Sequence, residues 1–124
     1  MEGLHILAEF QQCQAGQELM CSAEALERLC LSACQEAGLT VVGKLFLPFG
    51  TPQAPLGATG AVILAESHLA LHTWPERQAV TFDLYVCNFS RDNRAAAESV
   101  YAHMLCAFHP QAPHRRDIWR GEVA

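Results

Sequence analysis

The chain predicts a two-layer α+β sandwich, an antiparallel sheet with two helices packed on one face. Three observations support this class. Several short segments alternate apolar and polar residues, the mark of half-buried strands. Two longer segments repeat apolar residues at helical spacing. The whole has 124 residues, 51% of them hydrophobic, which suits one domain around one modest core.

In order, His5 to Phe10 reads as the first strand and Gln11 to Met20 as a polar connection. Ser22 is a helix N-cap, with Glu24 and Glu27 in the first turns, where the helix dipole favours acids. Leu26, Leu29, Cys30, Ala33 and Ala37 form the apolar stripe of that helix, and Gly38 stops it. Thr40 to Leu47 is the second strand. Pro48 and the run Gly50 to Gly57, rich in Gly and Pro, are expected to form a loop.

The third strand is placed at about Gly60 to Glu66, although the short apolar run Ala61 to Ala65 also fits a piece of buried helix. Leu69 and Leu71 then alternate with His68, Ala70 and His72, so the chain continues extended after a bend. Ala79 to Cys87 is the clearest strand: Val80, Phe82, Leu84 and Val86 share one face, and Thr81, Asp83, Tyr85 and Cys87 the other. Asn88 to Asn93 is a turn and cap. Ala97, Val100, Tyr101, Met104, Leu105 and Phe108 line a second helix that ends before Pro110, and Arg115 to Arg120 is a short final strand.

Composition excludes several function classes. A net charge of −5 argues against nucleic acid and anionic membranes as partners, since both favour a basic surface. No apolar stretch reaches the roughly eighteen residues a membrane span needs. The N-terminus lacks the basic and apolar regions of a signal peptide, so a cytoplasmic protein is expected. The six cysteines contain no Cys-x-x-Cys pair and read as reduced, mostly buried thiols. Cys30 and Cys34 could share a metal on a helix, but no His or acidic partner has matching spacing.

One stretch stands apart from this pattern of strands and helices. Glu66, Ser67 and His68 follow a buried apolar run abruptly, and His72-Thr73-Trp74-Pro75-Glu76 comes soon after. A lone serine at a strand end ordinarily bonds nearby backbone, and the Gly-x-Ser-x-Gly of a hydrolase is absent. His68 and His72 would lie ~13 Å apart on a strand, too far for one metal ion unless the chain turns sharply between them.

Glu-Ser-His-Leu-x-x-His-Thr-Trp-Pro-Glu, spanning Glu66 to Glu76, resembles the self-cleavage segment of the short prokaryotic S-adenosylmethionine decarboxylases. His5 to Cys13 and Phe82 to Cys87 resemble the family's first strand and catalytic-cysteine strand. The likeness covers most of the chain and is weakest in about the last fifteen residues. It implies a proenzyme of one domain, residues 1–124, cut between Glu66 and Ser67 into chains 1–66 and 67–124. Ser67 would attack the Glu66 carbonyl, and β-elimination followed by hydrolysis would turn it into a pyruvoyl group.

The resemblance gives His72 the general acid or base role in processing and Cys87 the role of proton donor to the product. It also implies that Glu76 binds the substrate ribose, that Phe49 stacks on adenine, and that Glu9 faces the site. Thr59 stands where the family has a serine that assists processing. A homodimer with sites between protomers is implied too, as is the same two-layer architecture. Five residues of straight strand would separate Ser67 from His72 by ~16 Å, so a bend after Ser67 is expected to fold His72 back.

The chain departs from the family pattern at Phe46-Leu47-Pro48-Phe49, where Phe-His-Arg-Phe is usual, and in a longer loop that follows. The expected reaction is pyruvoyl-dependent decarboxylation of S-adenosylmethionine for spermidine biosynthesis, through an imine with the substrate amine. Neither pyridoxal phosphate nor metal is expected: Lys44, the only lysine, has no motif around it. The alternatives are the same chemistry on L-ornithine or L-arginine, and an unprocessed, non-catalytic partner subunit. A metal-dependent hydrolase stands behind both.

Overall fold

A computed structural model describes residues 2–121. Strand β1 (Gly3–Cys13) lies inside a six-stranded, wholly antiparallel sheet, between β5 (Ala79–Cys87) and β6 (Pro110–Arg120). Beyond β5 come β4 (Ser67–Trp74), β3 (Ala54–Leu64) and the edge strand β2 (Val41–Thr51), giving the order β2-β3-β4-β5-β1-β6.

Helices α1 (Gln17–Cys21), α2 (Ala23–Glu36) and α3 (Arg94–Phe108) complete the described elements, with a 3-10 turn at Pro75–Arg77. The long helices are the two expected, and the short α1 is additional. It interrupts the supposed polar connection and buries Met20, whose carbonyl accepts from Thr73 Oγ1 at 2.7 Å.

Period-2 alternation sorts the sheet's side chains onto two faces. Leu4, Ile6, Ala8 and Phe10 of β1 and Val80, Phe82, Leu84 and Val86 of β5 point to the helices and are buried. They meet Leu26, Cys30, Ala33 and Cys34 of α2 and Ala97, Val100, Met104 and Phe108 of α3. Phe10 anchors this layer, edge-on to Phe82 at 5.5 Å and 6.3 Å from Phe108. Each of the larger apolar side chains here (Leu, Ile, Val, Phe and Met) stabilises the fold by roughly 1.5–3 kcal/mol through burial. Ser22 caps α2 by accepting from the Ala25 N–H at 3.1 Å. Burial pushes the Cys13 and Cys34 thiols up to about 11 and raises Cys30 as well, so these remain protonated packing groups.

The breaker-rich stretch is a hairpin and not a loop. β2 runs through Pro48 to Thr51, and β3 already begins at Ala54, with Pro48 opposite Ala58 and Pro55 opposite Gly50. The prolines are tolerated because β2 is an edge and β4 pairs β3 only from Thr59 onward, so each lies where one side of its strand is free. Gly50 supplies the left-handed φ of +78° that the hairpin needs, where a Cβ would strike the Ala54 carbonyl.

The final strand is also longer than expected, because arginine and histidine on its outer positions hide the alternation. Arg115 ties it to α3 by pairing with Glu98, with its guanidinium 4.6 Å from the Tyr101 ring centre. Among the described residues, no helix is long and apolar enough to cross a membrane.

Candidate active site

Residues 65 and 66 make the tight turn that joins β3 to β4, with Leu64 opposite Ser67. Glu66 sits in it at φ +67°, a left-handed conformation that costs a residue with a Cβ about 1–2 kcal/mol. Ser90 Oγ donates to its carboxylate at 2.9 Å. Immediately after this strained residue comes Ser67, only 7% exposed. Its Oγ accepts the backbone N–H of Cys87 at 3.0 Å. Cys87 is itself buried, and its carbonyl accepts Asn93 Nδ2 at 2.8 Å, while the Asn93 N–H donates to Asn88 Oδ1. The candidate cleavage bond and the candidate proton donor thus meet at one end of the sheet, braced by the 88–93 turn.

The expected bend after Ser67 is absent. The chain turns before Ser67, and β4 then runs extended to Trp74. Ser67 points to the helix layer with Leu69 and Leu71, whereas His72 points to the opposite, open face. Five residues of strand and opposite faces keep Ser67 and His72 of one chain apart.

His72 meets Thr59 instead: Thr59 Oγ1 and His72 Nδ1 are 2.6 Å apart. Register continues this row across the open face, from Leu47 through Thr59, His72, Thr81 and Glu9 to His114. Glu9 borders a hollow of about 570 Å³ that also touches Thr81, Asp83 and Arg116. Phe49, opposite Gly57, and Glu76, on the 3-10 turn, are both exposed near the same end. Gly57 links them, since any Cβ there would strike the Thr73 carbonyl and Pro75. The predicted residues therefore fall into two groups: Glu66, Ser67 and Cys87 at one end, and Phe49, Thr59, His72 and Glu76 at the other, with Glu9 level with His72.

Sequence reasoning missed a cluster between these ends. His5, His68 and Tyr85 pack edge to face or tilted with ring centres 5.7–6.4 Å apart. His5 Nε2 is buried and lies 3.3 Å from Asp83 Oδ1, without a hydrogen bond. The Arg120 guanidinium lies 4.8 Å from the Tyr85 ring centre. Burial, then the His5 and Arg120 charges, lower the pKa of His68 despite Asp83. The alternation in β5 was the available signal, since it set Tyr85 on the Cys87 face.

The comparisons with known proteins bear on this arrangement. A model of the S-adenosylmethionine decarboxylase family matches residues 4–121. An S-adenosylmethionine decarboxylase proenzyme of Picrophilus torridus is 34% identical over 119 residues, 96% of this chain and 84% of that one. One from Thermoplasma acidophilum is 33% identical over 121 residues, 98% of this chain and 85% of that one. The crystal structure of the adenosylmethionine decarboxylase from Aquifex aeolicus VF5 superposes with a TM-score of 0.83 at 30% identity, covering 98% of this chain and 92% of that one. These matches define the class of protein as a decarboxylase, a lyase. Within it, the chain belongs to the S-adenosylmethionine decarboxylase family.

Proposed function

We propose that this chain cleaves itself between Glu66 and Ser67 and, as a homodimer, decarboxylates S-adenosylmethionine. The observation that carries the reading is the buried Ser67 hydroxyl just past the left-handed Glu66, held 3.0 Å from the Cys87 N–H. Ser67 Oγ attacks the Glu66 carbonyl carbon, and the peptide C–N bond breaks as the ester forms. Loss of the Ser67 Cα proton then expels the Glu66 carboxylate. The resulting dehydroalanine is hydrolysed to pyruvoyl with release of ammonia. The strain at Glu66 favours the first step, because it is relieved when the peptide bond opens.

The residues present fit a pyruvoyl group at position 67: its methyl, formed from Cβ, would stay in the buried place that Ser67 now fills, and the Cys87 N–H beside it is released from Oγ, which leaves with Glu66. When bound there, the group accepts the substrate amine and withdraws electrons as CO2 leaves. Cys87 gives its thiol proton to the carbon that lost CO2.

A two-fold axis through the open face brings the Thr59–His72 pair of one chain to the Ser67 end of the other. This restores the acid-base role of His72, which one chain alone does not supply. Leu45, Leu47, Ile63 and Ile118 are all at least half exposed or close to it on that face, which an interface would cover. Phe49 and Glu76 come with His72 and are the groups for adenine and ribose.

Intact mass of purified protein should show chains 1–66 and 67–124, the second without a free amine, and Ser67→Ala should remain one chain. Persistent full-length wild type would leave the non-catalytic subunit. Offered S-adenosylmethionine, ornithine and arginine together, the processed protein should release CO2 only from the first. Consumption of ornithine or arginine alone would retain the pyruvoyl chemistry and remove the Phe49 and Glu76 roles.

A further inference from the structure

Cys87 pairs with Gly3 of β1, and Gly3 pairs on its other side with Arg120 of β6. The glycine has no side chain, so this row of the open face has a notch at its centre. Tyr85, two residues before Cys87 on the same face of β5, fills it. A Cβ on Gly3 would overlap the Tyr85 hydroxyl and the ring carbons beside it. The phenol therefore leans along β5 toward the Cys87 end and is not directed straight across to His5, its register partner. Arg120 covers its ring from the far side.

Resting on the reading of Cys87 as proton donor, we propose that Tyr85 is its positioning residue, donating a hydrogen bond from the hydroxyl to Cys87 Sγ. The bond aims the thiol and steadies the thiolate that remains after proton transfer. In that transfer the S–H bond breaks, its electron pair stays on sulfur, and the proton forms the new C–H bond at the carbon that lost CO2. Sulfur then regains a proton from water. The hydroxyl is suited to donate: burial first, and then the neighbouring Cys87, hold Tyr85 above the ordinary phenol range, with Arg120 opposing in part. The charged and titratable groups around the ring are Cys87, Arg120, His5, His68 and Asp83. Among them only Cys87 takes part in the proposed proton transfer.

The test separates the hydrogen bond from the catalytic role. Unprocessed Ser67→Ala protein is treated near neutral pH with methyl methanethiosulfonate, a small thiol reagent, and modification is read at each cysteine by peptide mass. Adding Tyr85→Phe, which still fills the notch, should slow modification of Cys87 about three- to tenfold by removing the donor to its thiolate. Gly3→Ala, which displaces the ring, should do the same, while the exposed Cys106 reacts unchanged. In the self-processed protein, Tyr85→Phe should lower kcat about tenfold with KM and cleavage little altered. Equal Cys87 rates with and without the Tyr85 hydroxyl would overturn the positioning role. Altered rates beside full activity of Cys87→Ala would overturn its catalytic part and, separately, the reading of Cys87 as proton donor.

Discussion

The backbone N–H of Cys87 donates to Ser67 Oγ at 3.0 Å, so these two residues are joined through the main chain of one and the side chain of the other. The Cys87 thiol is left free for a different task. Replacing that thiol should therefore leave the geometry of cleavage intact while removing the proton donor.

Cys87→Ala is expected to yield chains 1–66 and 67–124 at near the wild-type rate. Decarboxylation should fall by about two orders of magnitude or more, the usual contribution of a positioned acid. Fragment masses and CO2 release, measured on one sample, check both halves. Normal turnover in the cleaved variant would return Cys87 to a packing role.

The separation of His72 from Ser67 predicts complementation. His72→Ala and Ser67→Ala chains should each remain uncut alone. Unfolded together and refolded, they should give heterodimers in which the His72→Ala chain is cleaved, because the turn that carries its Glu66–Ser67 bond meets the intact Thr59–His72 pair of the other chain. Mass spectrometry distinguishes the two chains. No fragment in the mixture, with dimers present by light scattering, would place the processing base elsewhere.

Asn93, 7% exposed, binds the Cys87 carbonyl and also accepts from Arg91 Nε at 2.8 Å. Asn93→Ala leaves that buried carbonyl without its partner and should cost about 1–3 kcal/mol of stability. Urea unfolding in the Ser67→Ala background, where no cleavage intervenes, measures it. A loss within error would mean that the 88–93 turn is held by other contacts.

The lowered pKa of His68 sets a pH dependence. Its folded value lies below the ordinary value near 6.5, so the unfolded chain takes up the proton first as pH falls. Stability from this group is complete above about pH 6.5 and declines as pH drops from there toward the folded value. The slope should be modest, because the imidazole is only partly shielded and solvent screens it. His68→Gln should flatten it in melting curves taken between neutral and mildly acidic pH. An unchanged slope would assign the dependence to another group.

By itself the sequence determined the fold class, both long helices and their core stripes, the Ser22 cap, and the faces of β5. These follow from local periodicity and side-chain chemistry, which each segment carries within itself. The Glu66–Ser67 motif was legible in the same way. Tertiary structure decided which residues meet. A hairpin turn before Ser67, and not a bend after it, put Ser67 and His72 on opposite faces and divided the predicted site between the two ends of the sheet. Edge position made Pro48 and Pro55 acceptable in strands, and cross-strand register carried Tyr85 over Gly3 toward Cys87. Alternation assigns each side chain to a face but leaves its neighbours to strand order and register, which depend on contacts between segments far apart in the chain.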